Sequence, residues 1–248
     1  MLVAAADTST LTLSCALVRL GPGGAQVLAR SAERPPAPSG GHGGRLPGAL
    51  VALLARAGLG LGDVEGFAVG LGPGSFTGLR VGLATWKGLA YAGRRPLAGG
   101  SGLAAMAAEA APLAPPGALL VPVLDARKGE VYAGFYRVRG GLPEVAAPEA
   151  ALPPGALAAR AAVAAAPGER ALAFGEGLAT YREVLAPAMA ELAGAPAVPA
   201  AEAVARLAAP RLLGATFAAA ALFALEPHDL RPSEAEVKFP HGLPAAGR

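Results

Sequence analysis

Residues 66–92 constrain the fold more than any other stretch. Gly66–Leu71 is a short apolar run of the kind buried inside a sheet, and Gly72-Pro73-Gly74-Ser75 interrupts it. From Phe76 to Ala92 the apolar positions 79, 83, 86 and 90 form one stripe of a helix. Strand, glycine turn and helix in that order predict an α/β domain with helices laid over a sheet. The turn is also the strongest binding candidate, because a helix N-terminus offers free backbone N–H groups and the positive end of the dipole. Gly72 and Gly74 permit close approach of a ligand or another chain, and Ser75 or Thr77 can cap the helix. The segment lacks the Gly-Lys-Ser/Thr ending of a P-loop. A tight capped turn therefore explains it as well as phosphate contact does. Gly78 and Gly82 lie one helical turn apart, and each costs about 1 kcal/mol relative to alanine. Close backbone packing, internal or against a partner, is what would offset that cost.

The rest of the chain extends the pattern. Residues 2–6, 11–18 and 25–30 read as three strands separated by Asp7-Thr8-Ser9-Thr10 and Gly21-Pro22-Gly23-Gly24, an antiparallel meander. Residues 31–44 form a Pro/Gly/Ser-rich loop. Leu46–Ala57 is a helix with leucines at 46, 50, 53 and 54, Pro47 in its first turn and Gly58 after its end. Strands at 96–98, 118–124, 130–138 and 171–174 and helices near 102–111, 155–165, 177–186, 201–209 and 212–225 follow. Strands, an acid-bearing turn (Asp7, then Asp125), more strands and then helices occur twice. Two similar α/β lobes are expected, divided as 1–102 and 103–248.

Composition narrows the function classes. Hydrophobic residues make up 53% of the 248 and charged ones 16%, which opposes disorder despite 35 glycines and 24 prolines. One cysteine, Cys15, excludes an internal disulfide framework and a multi-cysteine metal site, and three histidines leave little for a metal cage. No positively charged segment precedes the first apolar run, so no signal peptide is expected. The uncharged run Leu212–Leu225 is shorter than the roughly 18 residues that span a bilayer. A cytoplasmic protein without membrane contact is the expectation. The net charge of +3 is too small a basic footprint for a chain that holds RNA by itself.

Three smaller motifs carry alternatives. Asp7-Thr8-Ser9 suits a water or a Mg²⁺–phosphate, and equally an Asx-type turn bonding its own backbone. Asp125-Ala126-Arg127-Lys128-Gly129-Glu130 reads as a charged hairpin turn, in which an Arg127–Glu130 pair is worth little. His42 sits before the first helix with Leu46 four residues on, so a His-x-x-x-His metal pair is absent. Gly175-Glu176-Gly177 is the one modest candidate for a second phosphate turn.

Taken together, Asp7-Thr8-Ser9, His42 ahead of Leu46-Pro47, GPGSFTGLRVGLATWKGLAYA from Gly72 to Ala92 and DARKGEVY from Asp125 to Tyr132 resemble the bacterial TsaB family of tRNA threonylcarbamoyladenosine biosynthesis proteins. The resemblance covers the first ~140 residues, with element boundaries good to a few residues. It implies the fold of the actin-like, sugar-kinase and Hsp70-type ATPases, two α/β lobes each opening with an antiparallel hairpin. It implies a non-catalytic scaffold, with no catalytic residues and no metal, acting with a TsaD-type catalytic paralogue and a TsaE-type ATPase. Together these transfer a threonylcarbamoyl group to N6 of an adenosine beside the tRNA anticodon, tRNA being reached only through the complex. No cofactor is expected to bind tightly, with ATP or ADP at the partner interface left open, as is a homodimer in isolation. Nucleotide-like loops would be Asp7, Thr8, Ser9, Gly72, Gly74, Ser75 and Thr77, with Asp125, Arg127 and Glu130 as a turn motif. Partner contact through the two first-lobe helices would involve His42, Leu46, Leu50, Gly78, Arg80, Gly82 and Trp86, the tryptophan as anchor if exposed and as core if inward. The alternatives are a stand-alone kinase or ATPase of the same fold and a glycoprotease-like metallohydrolase.

Overall fold

In the computed structural model, which describes residues 1–34, 45–140 and 142–231, the apolar runs at the start of the chain form the expected meander. β1 (Leu2–Asp7) pairs antiparallel with β2 (Leu13–Gly21), and β2 with β3 (Gly24–Glu33). β1 is buried along its whole length because β4 (Gly66–Gly70) adds parallel to its other side. β5 (Leu97–Gly100) completes a sheet of order β3-β2-β1-β4-β5.

The second sheet repeats this plan. β6 (Leu120–Arg127), β7 (Glu130–Arg139) and β8 (Leu142–Leu152) form an antiparallel meander, and β9 (Leu172–Phe174) and β10 (Ala190–Glu191) continue in parallel beyond β6. Read from β8, the order is β8-β7-β6-β9-β10, the same as in the first. The two-lobed mixed α/β class implied by the resemblance is therefore the observed one. β8 has no counterpart among the strands expected from sequence. Pro143 and Pro148 argue against a central strand, but β8 is an edge, where a missing N–H disrupts no outer ladder.

Helices cover both faces of each sheet. α1 (Leu46–Arg56) and α2 (Phe76–Gly93) pack Leu50, Leu53, Leu83 and Trp86 against Phe67 and Val69 of the first sheet. α3 (Gly102–Ala110) brings Leu103, Met106 and Ala110 against Leu120, Leu124 and Tyr136 of the second sheet. α4 (Pro154–Ala164), α5 (Glu176–Thr180) and α6 (Arg182–Leu185) cover its other face.

α7 (Ala201–Leu212) departs from the expected division at 102/103. Its Ala201, Val204, Ala205, Ala208 and Leu212 lie in the core formed with Val3, Ala5, Val18 and Ala68 of the first sheet. The Ser14 hydroxyl oxygen on β2 accepts the Ala201 N–H at 2.9 Å at its start. The first lobe thus takes a helix from the far end of the chain, as the second takes α3 from the first half. The helix expected over 212–225 is confined to α8 (Ala219–Ala224), whose Leu222 enters the first-lobe core beside α2.

Candidate functional site

Asp7 closes β1 and is buried, and its Oδ1 accepts the Ser9 N–H at 2.9 Å and the Ser9 hydroxyl at 2.6 Å. That is the Asx-type turn anticipated from sequence. The turn lies directly on α2. The Thr8 hydroxyl donates to the Gly78 carbonyl at 2.8 Å, and the Ser75 N–H donates to the Ser9 carbonyl at 2.6 Å. A Cβ on Gly74 would overlap the Ser9 backbone, one on Gly78 the Thr8 carbonyl, and one on Gly82 the Thr8 hydroxyl. Gly72 has φ +99°, where an L side chain is strained, and faces Leu79. Ser75 is the cap, accepting the Gly78 N–H at 3.2 Å, while Thr77 is exposed.

This packing corrects the assignment of the helix glycines to a partner. Gly78 and Gly82 are buried against Thr8 of the same chain, so their helical cost is offset internally. Leu46, Leu50 and Trp86 are also core, not contact surface. The Trp86 indole donates to the Ala68 carbonyl at 2.7 Å and meets Phe67 edge-on, with centroids 5.7 Å apart. Of the proposed contact residues Arg80 is exposed; it covers the Phe76 ring and pairs with Asp229 at 2.8 Å. His42 lies outside the described residues. The outward faces are different ones: Gly48, Val51, Ala52 and Ala55 on α1, and Ala84 and Gly88 on α2. A Cβ on Gly88 would meet nothing.

A cleft of about 870 Å³ opens between the lobes. Ser9, Thr10, Gly74, Ser75 and Phe76 line one wall, and the β6–β7 turn from Asp125 to Glu130, with Tyr132 and Glu176, lines the other. The nucleotide-like loop and the DARKGE turn, far apart in sequence, thus face one space, with Asp7 and Thr8 buried behind it. The turn is a two-residue hairpin with Lys128 at φ +56° and Gly129 at φ +80°, and Asp125 Oδ1 accepts the Arg127 N–H at 2.9 Å.

The cleft's charges are mixed. Arg127 lies 3.5 Å from Asp125, while Arg231 reaches Glu130 at 3.1 Å and the Ala126 carbonyl at 3.0 Å. Arg231 is therefore the partner of Glu130, in place of Arg127. Burial, with the nearby Asp125, pushes the Glu176 carboxyl above its ordinary pKa, and burial does the same to the Tyr132 hydroxyl. Gly175 and Gly177 press against the backbone of β6 at Val123 and Leu124, so that turn is closed on its own sheet. Among the described residues, no group of three His, Cys, Asp or Glu is placed to hold a metal. Cys15 is buried, which pushes its thiol up to about 12. Among the described residues no helix is long and apolar enough to cross a membrane.

Sequence reasoning missed the segment His228–Arg231, which forms part of the cleft lining. It also missed Glu149 behind it, whose buried carboxylate accepts the hydroxyls of Ser101 and Tyr136. No local pattern marks either, because their partners lie on other strands and helices.

The family model of TsaD, tRNA N6-adenosine threonylcarbamoyltransferase, matches residues 34–240. The tRNA threonylcarbamoyladenosine biosynthesis protein TsaB of Bacillus subtilis is 32% identical over 149 residues, 60% of this chain and 61% of that protein. TsaB of Escherichia coli is 38% identical over 103 residues, 41% of this chain and 44% of that one. The aligned stretches thus span less than two thirds of either relative. A solved Pseudomonas aeruginosa protein, described as similar to peptidase YeaZ, superposes with TM-score 0.74 at 31% identity, covering 93% of this chain and 99% of its own.

Proposed function

Since this chain belongs to the TsaD family, and within it to the TsaB/YeaZ type, we propose that it takes part in tRNA threonylcarbamoyladenosine biosynthesis as a non-catalytic scaffold. Its partners in this reading are a TsaD-type catalytic paralogue and a TsaE-type ATPase. The transferred group would go to N6 of the adenosine beside the anticodon, tRNA meeting the assembled complex.

The observation that carries the reading is the closure of the glycine loop on its own chain. Gly74, Gly78 and Gly82 pack against Ser9 and Thr8 of the same chain, so their lack of a side chain is used internally and not for a ligand. Opposite them, Glu176 adds a carboxylate, and Arg231 is already engaged. The docking surface is the outward side of α1 and α2, where Val51, Ala52, Ala55, Ala84 and Gly88 allow a partner helix to come close. Any ATP or ADP would then belong to the interface with the partner.

The test is reconstitution with the two partners, tRNA, ATP and the threonylcarbamoyl adenylate, read by nucleoside mass spectrometry. Omitting this chain should remove the modified nucleoside, and this chain without the TsaD-type partner should form none. Full modification in its absence would overturn the reading. The size of the cleft favours a second reading, a stand-alone nucleotide enzyme. Calorimetry of the isolated chain with ATP and Mg²⁺ decides it, since sub-millimolar binding with turnover would support that alternative.

A further inference from the structure

Residues 226–231 leave α8 and pass from one lobe to the other. On the first lobe, the His228 N–H donates to the Leu71 carbonyl at 2.7 Å, and Asp229 pairs with Arg80 of α2 at 2.8 Å. On the second lobe, Arg231 pairs with Glu130 at 3.1 Å and donates to the Ala126 carbonyl, while Leu230 packs into the core shared by α3 and the second sheet. Between these, His228 Nδ1 lies 3.2 Å from Oε2 of Glu149, whose side chain is 8% exposed. Two ion pairs of opposite polarity thus hold one short segment, one on each lobe.

We propose that Glu226–Arg231 is a strap that sets the angle between the lobes and forms a movable wall of the cleft. The remaining covalent connections are the crossovers through α3 and into α7, at which two packed bodies can hinge. The side chains of Arg80, Asp229, Arg231 and Glu130 are between 30% and 42% exposed. Pairs of that exposure are individually weak and screened by salt. The strap is therefore releasable: losing the Asp229 pair leaves only the His228–Leu71 hydrogen bond on the first lobe, losing the Arg231 pairing leaves only the Leu230 packing and the His228–Glu149 contact on the second, and the cleft lining at His228–Arg231 loosens with either.

The experiment measures an interlobe distance by pulsed electron resonance between spin labels on Val51→Cys of α1 and Val163→Cys of α4. These positions are 66% and 86% exposed, whereas Cys15 is buried. The full-length labelled chain should give one narrow distribution. Asp229→Arg and Arg231→Glu should each at least double its width, as should about 1 M salt, where the Debye length is about 3 Å. The exchanges Arg80→Asp with Asp229→Arg, and Glu130→Arg with Arg231→Glu, should restore it. Unchanged width in both single variants, or failure of both exchanges to narrow it in proteins that melt like the parent, overturns the proposal. If one single variant fails to fold, the other ion pair and the salt series carry the same decision.

Discussion

The Thr8 hydroxyl donates to the carbonyl of Gly78 at 2.8 Å, and the carbonyl of the same threonine occupies the place a Cβ on Gly78 would take. The β1–β2 turn and the first turns of α2 are therefore one packed unit. Gly78→Ala should lower stability by about 1–3 kcal/mol through overpacking, despite alanine's better helix propensity. Gly88→Ala, on the open side of the same helix, should raise it by up to about 1 kcal/mol. Paired thermal melts of the two variants check this, and equal melting temperatures would contradict the contact.

Outward and inward residues of the two first-lobe helices should separate cleanly. Ala84→Arg and Val51→Arg should leave the unfolding free energy within about 0.5 kcal/mol of the parent and abolish co-purification with the TsaD-type partner. Trp86→Phe should do the reverse. It removes the indole hydrogen bond to Ala68 inside the core, costing about 1–3 kcal/mol, and leaves the partner surface intact.

Glu169 clamps the second lobe. Arg137 donates to both its oxygens at 2.8 and 2.6 Å, and the Leu119 and Ala166 N–H groups add bonds at 2.9 and 2.7 Å. These bonds, led by Arg137, hold its carboxyl down at about 2 instead of 4.5. The folded pKa is depressed, so this stabilisation is fully present above about 4.5 and is lost as the pH falls toward 2. Glu169→Gln should cost about 2 kcal/mol at pH 7 and flatten the acid limb of a stability-versus-pH curve measured by urea unfolding.

Glu109 on α3 has the opposite sign. Burial, reinforced by Glu202 on α7, pushes its carboxyl up, and its Oε2 is buried without a hydrogen bond among the described residues. A raised folded pKa means stability is greatest below the ordinary carboxylate value and falls as the pH rises through the folded one. Glu109→Gln should therefore be neutral or stabilising by about 1 kcal/mol at pH 7, with the advantage vanishing in acid. The same unfolding series, run on this variant, measures it.

The elements that the chain announces are those whose periodicity is local. The α2 stripe at 79, 83, 86 and 90, the leucines of α1 and the β1–β3 meander all lie where expected. The repeated acid-bearing turn foreshadowed two sheets of like order. The glycines of α2 announce close approach, but sequence does not say what approaches, and Thr8 does so from a separate element. Trp86 posed the same question, and the apolar Phe67 beside it settles the ring as core. β8 was hidden by its prolines. The strap was hidden because Asp229 and Arg231 become meaningful only beside Arg80 and Glu130, 149 and 101 residues away.

The return of α7 to the first sheet has a consequence for biosynthesis. One apolar face of the first sheet, with Val3, Ala5 and Val18, is covered by residues 201–212. While the polypeptide is being made, that face stays bare until most of the protein has left the ribosome. The first sheet cannot mature alone, and a chain stopped near residue 102 would present a sticky, uncovered sheet to chaperones and proteases.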